Sequence, residues 1–169
     1  AYTHQYNVTV NHINVDTNAV LSTETQTVYE GDNFSTPWKN MTDQNYFLCR
    51  NDDSSVAVDK NGQRIINNVD QNRTITFKYK NISLSDLNNY VRQKELAWLN
   101  SYRQQNGVAP MQFNDVVQKA ADIRAKELQV SFSHYRPGGG TFQDLLESLG
   151  CYGGKGENIN SFYLYVDDI

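Results

Sequence analysis

The chain has 169 residues, 15 Lys and Arg against 19 Asp and Glu, and a formal charge of −4. That length suits one or two domains, and the mild acidity argues against nucleic-acid binding, which needs a basic surface. No apolar run approaches the ~20 residues that cross a bilayer, so no membrane span is expected.

Residues 1–80 read as β. Tyr6, Val8 and Val10 alternate with Asn7, Thr9 and Asn11, the pattern of a half-buried strand. Asp16-Thr17-Asn18 is a turn, and a threonine-rich strand follows from about Val20 to Tyr29. Pro37 and Trp38 begin an irregular connection. Tyr46 to Cys49 and Val56 to Val58 read as short strands, with a turn at Asn61-Gly62. Thr74 to Lys80 closes the region, with Ile75, Phe77 and Tyr79 on one face. His4 and His12 are isolated here and are expected at the surface.

Residues 81–85 form a short linker. Ser85 is the expected cap of a long helix over Asp86–Gln105, with Leu87, Val91, Trp98 and Tyr102 near one face and Asn106-Gly107 as its stop. Asn114 caps a second helix that turns Val116, Val117, Ala120, Ala121, Ile123 and Leu128 inward. A third, short helix starts at Thr141, with Asp144 near the positive end of its dipole. Phe142, Leu145, Leu146 and Leu149 form its apolar stripe, and Gly150 ends it. The tail over Ser161–Ile169 alternates like a strand. Cys49 and Cys151 fall in different regions, and two thiols are favoured over a disulfide. No CxxC or Cys/His cluster supports a structural zinc site.

The stretch from Phe132 to Ile159 carries the chemistry. It holds His134, Arg136, two glycine-rich turns and Glu157. Flexible glycines on both sides of the third helix let His134 and Glu157 meet. An imidazole and a carboxylate on loops suit proton transfer or a divalent cation. The bland alternative is a loop histidine bonded to backbone and a glutamate bonded to amides around a glycine turn. Glu127, three residues after Arg124, is either a helix ion pair or a second acidic group of the same cleft. Arg136 precedes Pro137 and is held extended, tying the loop to a helix or binding an anion. Gly153-Gly154-Lys155-Gly156 lacks the following Ser or Thr of a phosphate loop and reads as a turn.

Five linked pieces carry a family resemblance: Leu99 to Arg103, Gly107 to Met111, Ala120 to Glu127, Phe132 to Gly138, and Gly156 to Ile159. In order and spacing they resemble the bacterial branch of the CAP superfamily, the SCP-like or cysteine-rich secretory, antigen 5 and PR-1 domains. The resemblance implies an α-β-α sandwich with a cleft lined by His134 and Glu157, joined by Glu127 and Arg136. It also implies that His134 and Glu157 are the metal ligands if a divalent cation such as zinc or magnesium is bound. The family pattern continues with a tryptophan-bearing helix, a further histidine and closing strands, so the CAP domain is expected to be partial in this chain. Tyr6 to Val10, Val28 to Asp32 and Thr74 to Lys80 resemble a MucBP-like module of Gram-positive surface proteins, with a generic small β domain as the alternative.

The resulting expectation is an α+β chain: a small β-rich, β-grasp-like domain over residues 1–80, then a partial α-β-α sandwich CAP domain over 86–169. Its partner is a small ligand or a host or cell-surface component, in a secreted or cell-surface setting. A metal-assisted hydrolase or peptidase using the same residues, and an adhesin acting through the β domain, are the alternatives.

Overall fold

The computed structural model describes residues 4–160 and 165–166 of the chain. They form two compact units: one runs up to Val91 and includes Tyr165 and Val166, and the other begins at Arg92. The architecture is α+β, β-rich first and helical after. The strand expected over 161–169 lies outside the described residues except at Tyr165 and Val166, which are not in a strand.

The first unit is built on two long strands, β1 (Gln5–Asn14) and β7 (Arg73–Asn81), which lie parallel with His12 opposite Phe77. β2 (Val20–Tyr29) flanks β1 antiparallel, and β4 (Tyr46–Leu48) flanks β7 antiparallel, giving the order β2-β1-β7-β4. A smaller sheet, ordered β3-β6-β5, joins β3 (Phe34–Thr36), β6 (Arg64–Ile66) and β5 (Ala57–Val58). The period of two places Val8 and Val10 on the same buried face as Ile75, Phe77 and Tyr79. β2 is mostly exposed, and its threonines bond across the pair, as in Thr23 to Asn11 at 2.6 Å.

That same periodicity corrects the surface assignment of His12. It is the next position on the face of Val8 and Val10, and it is 1% exposed. Its ring stacks on Phe77 at 5.0 Å between centroids, and its Nδ1 lies 3.0 Å from the Tyr79 hydroxyl. Desolvation, reinforced by Lys39, lowers its pKa. Burial also pushes the Tyr79 hydroxyl up to about 12. The Tyr79 hydroxyl in turn donates to the Lys39 carbonyl at 3.1 Å. His4 is exposed and faces Glu30 at 3.0 Å.

The helical region starts two residues earlier than expected. Ser83, rather than Ser85, caps α1 (Leu84–Gln105): its Oγ accepts from the Asp86 amide at 3.1 Å and donates to the Asp86 carboxylate at 2.7 Å. Leu87 is the buried residue of this helix, whereas Trp98 and Tyr102 are exposed and stack on each other at 6.3 Å. Asn100 pins the following loop by bonding both the carbonyl and the amide of Met111, at 2.9 and 2.7 Å. Asn114 caps α2 (Asp115–Val130) as expected, accepting from the Val116 and Val117 amides. Of the inward set, Ala120 is buried, but Val117 and Ala121 are exposed. Thr141 and Asp144 close a reciprocal capping box on α3 (Phe142–Ser148). Ala120, Leu145 and Leu146 form the small core between α2 and α3. Neither Cys49 nor Cys151 is in a disulfide.

Candidate binding site

The site is organised by a residue that sequence reading did not single out. Arg124 sits on the α2 face that carries Ala120, and it is 4% exposed. The 3.6-residue period places 117, 120, 124 and 128 on one stripe. An arginine on a stripe of Val117, Ala120 and Leu128 was the available signal.

The Arg124 guanidinium spreads over three partners. Nε donates to Glu157 Oε1 at 2.7 Å, Nη1 to Glu127 Oε2 at 2.8 Å, and Nη2 to the Ser133 carbonyl at 2.7 Å. Each acceptor has a consequence. The Ser133 contact pins the loop after α2, and the Ser133 Oγ accepts the Tyr135 amide at 3.1 Å. The intervening His134 therefore places Nδ1 2.8 Å from Glu157 Oε2. The Glu127 contact continues outward: Arg136 grips the same carboxylate through Nε, at 3.0 and 3.1 Å, and through Nη2 at 2.6 Å. This fork geometry is the strong form of an ion pair.

Two turns deliver these groups. The Arg136 amide donates to the Gly140 carbonyl and the Gly139 amide to the Arg136 carbonyl, both at 3.0 Å, which closes the chain back towards α3. Gly140 has φ +83°, and a Cβ there would meet the Asp144 carboxylate at 3.0 Å, so the capping box requires a glycine at this point. On the far side of α3, Lys155 reaches Glu147 at 2.8 Å with only 6% of its side chain exposed. That contact fixes the glycine turn ahead of Glu157.

The four residues expected at the cleft thus form one chain of contacts through Arg124: His134, Glu157, Arg124, Glu127 and Arg136 in sequence. His134 is half exposed, while the side chains of Glu157 and Glu127 are 11% and 19% exposed. Glu127 is an ion-pair residue between two arginines. Its carboxyl is held down at about 2, first by Arg136 and then by Arg124. At Glu157, burial favours the neutral acid, but hydrogen bonds from Arg124 and His134 outweigh it and lower the pKa. Both arginines are correspondingly held more firmly in the charged form by their carboxylates.

Beside this network lies a groove of about 270 Å³ between α2, α3 and residues 156–160. Its walls are apolar, including Val117, Ala121, Leu128, Phe142 and Ile159, with Arg124 and Glu157 as the charged groups. His134 is not among the lining residues of the groove; it touches it through Glu157.

As a cation site, this arrangement is poor. Both Glu157 oxygens already accept bonds, and a guanidinium lies against them. A metal would meet one carboxylate beside a fixed positive charge and one imidazole nitrogen, Nε2. Among the described residues, no group of three or more His, Cys, Asp or Glu is gathered in a way that would hold a metal ion.

Comparison with known proteins agrees with the resemblance read in the helical region. Residues 96–168 match the family described as CAP, cysteine-rich secretory protein family. No curated protein matches the chain. A solved structure, described as the crystal structure of the mucin-binding domain of Spr1345 from Streptococcus pneumoniae, is similar to 48% of this chain. The alignment covers 94% of that chain at 13% identity and a TM-score of 0.26.

Proposed function

We propose that the chain is a secreted or cell-surface interaction protein whose CAP-family region binds a small, largely apolar ligand in the groove between α2 and α3. The observation that carries this reading is the pairing of an apolar groove with a preorganised polar edge, in which Arg124 and Glu157 face the ligand and His134 is fixed behind Glu157. Apolar walls with a few fixed polar groups are the usual composition of small-ligand sites.

The ligand's polar end would meet an ionised carboxylate and the edge of a guanidinium, so a hydroxyl or amide suits it better than a free acid. The hydrolase reading draws no support from this geometry. A general base works best with a pKa near the working pH, whereas bonds from Arg124 and His134 hold the Glu157 carboxyl below its ordinary value. The divalent-cation reading meets the same obstacle.

The test uses the full chain with N-phenyl-1-naphthylamine as a neutral apolar probe. Ala121 and Ala125 line the groove and are exposed, so Ala121→Phe and Ala125→Phe fill it with little disturbance of the core. The proposal expects each variant to lose probe fluorescence while keeping the wild-type far-UV spectrum. Unchanged probe titrations in both variants would remove the groove as the binding site.

A further inference from the structure

We propose that the first unit pairs with a second copy of itself through the outer edge of β2, making one continuous sheet across a two-fold axis at Thr25. This inference is independent of the groove between α2 and α3.

β2 stands at the end of its sheet, in the order β2-β1-β7-β4, and residues 23–27 are exposed. The ladder with β1 fixes which of its backbone groups are left over. The Glu30 amide donates to the His4 carbonyl at 2.9 Å, and hydrogen-bonded and non-bonded positions alternate along an antiparallel pair. From there the register runs without a shift as far as His12 opposite Ser22. Residues 22, 24, 26 and 28 therefore bond to β1, and the N–H and C=O groups of Thr23, Thr25 and Thr27 point out of the sheet. Among the described residues, no other strand pairs with β2, and no turn or loop bond reaches the backbone of these three threonines. Such a row of open groups is a template for another strand. The usual protections are missing: β2 has ten residues, no proline and no lysine, and its register shift lies at one end. Its single charge, Glu24, is neutralised within the chain by Lys39.

The sequence of β2 selects its own copy as the occupant. A two-fold axis normal to the sheet keeps each face on its own side, so residues of the same face must stand opposite each other. With Thr25 opposite its own copy, Thr23 faces Thr27 and Glu24 faces Gln26. Every outward group of the three threonines then meets an outward partner, and no like charges meet. Sliding the copies by two residues one way sets Glu24 against Glu24, a like-charge pair. Sliding them the other way sets Glu24 against Val28, which is 7% exposed, and shortens the overlap. The threonine hydroxyls are already held by β1, Thr25 by Thr9 and Thr27 by Asn7, both at 3.2 Å. Little side-chain freedom is therefore lost on pairing. The contact is isologous and closes on itself, in the order β4-β7-β1-β2-β2-β1-β7-β4. The edges that remain are the two β4 strands, three residues each.

Sedimentation equilibrium of the full chain reads the association. The wild type should pass from 19.3 kDa towards twice that mass as concentration rises. Thr25→Pro removes an N–H that β1 does not use, so the fold is kept. The dimer dissociation constant should rise at least about tenfold, the loss of two symmetric hydrogen bonds. Should Thr25→Pro lose its far-UV signal, charge pairs read the same register. Thr23→Lys with Thr27→Glu sets opposite charges across the axis and should dimerise at least as tightly as wild type. Thr23→Lys with Thr27→Lys sets like charges there and should bind about threefold or more weakly. Amide exchange gives a second readout: Thr23, Thr25 and Thr27 should gain protection with concentration, while 24 and 26 are protected throughout. A wild-type chain that stays monomeric up to about 1 mM would overturn the proposal. So would a dimer equally tight in all the folded variants, as association through the exposed Trp98 and Tyr102 would give, or threonine amides whose exchange ignores concentration.

Discussion

Replacing Arg124 with methionine removes the centre of the polar network while keeping an unbranched apolar stem. Three charge-assisted bonds of 2.7–2.8 Å disappear. Two carboxylates that are 11% and 19% exposed lose a shared counter-charge. Leaving a buried charge unpaired costs about 3–5 kcal/mol. Here Arg136 still grips Glu127 and His134 still faces Glu157, so the lower end, about 3 kcal/mol, is expected. The apolar core of this region is only Ala120, Leu145 and Leu146 with partly buried neighbours, which leaves little to absorb the loss. Urea unfolding of the full chain, followed at 222 nm where the helices dominate, reads the change. With a slope of about 1–3 kcal/mol per molar urea, the helical transition should move down by at least ~1 M. Arg124→Lys keeps the charge without the fork and should fall between the two. A midpoint within ~0.2 M of wild type for Arg124→Met would refute the reasoning.

Three further expectations follow from single residues. Glu127 is held at about 2 in the fold against an unfolded value near ~4.3. Its contribution is therefore complete above the unfolded value and lost as pH falls towards 2; the amide protection factors of α2 should fall across that range, and should do so less in Glu127→Gln. His12 has a lowered pKa because it is buried beside Lys39, with Glu24 partly opposing. The unfolded chain takes up its proton first, so the first unit should lose stability as pH falls below ~6.5; His12→Gln should flatten that slope in a pH series of thermal melts. Leu146→Ala empties the contact between α3 and α2 and should cost about 2–5 kcal/mol, measured by the same urea transition.

Local signals in the sequence were legible where one residue type does one job. The alternation of β1 and β7, the Asn114 cap and the Thr141 capping box all follow from side chains acting on their own backbone. The meeting of His134 and Glu157, 23 positions apart, was anticipated from the glycines around α3. What local pattern could not supply was the register of long-range partners. The burial of His12 depends on its facing Phe77 across a parallel pair, and nothing within β1 states which strand lies beside it. Glu127 left two readings open because its second arginine, Arg136, lies on the loop beyond the end of α2. Trp98 and Tyr102 follow the helical period, yet period alone does not say which stripe is covered. β3 and β6, three residues each, are too short to show a period at all.

The most direct measurement concerns the imidazole itself. An ionised carboxylate only accepts hydrogen bonds, so a neutral His134 facing Glu157 must carry its proton on Nδ1. Nitrogen-15 correlation spectra of the imidazole at neutral pH should show the Nδ1–H form in the wild-type chain, and Glu157→Gln should shift that balance. A His134 ring in the Nε2–H form, with the same spectrum in both proteins, would contradict the account.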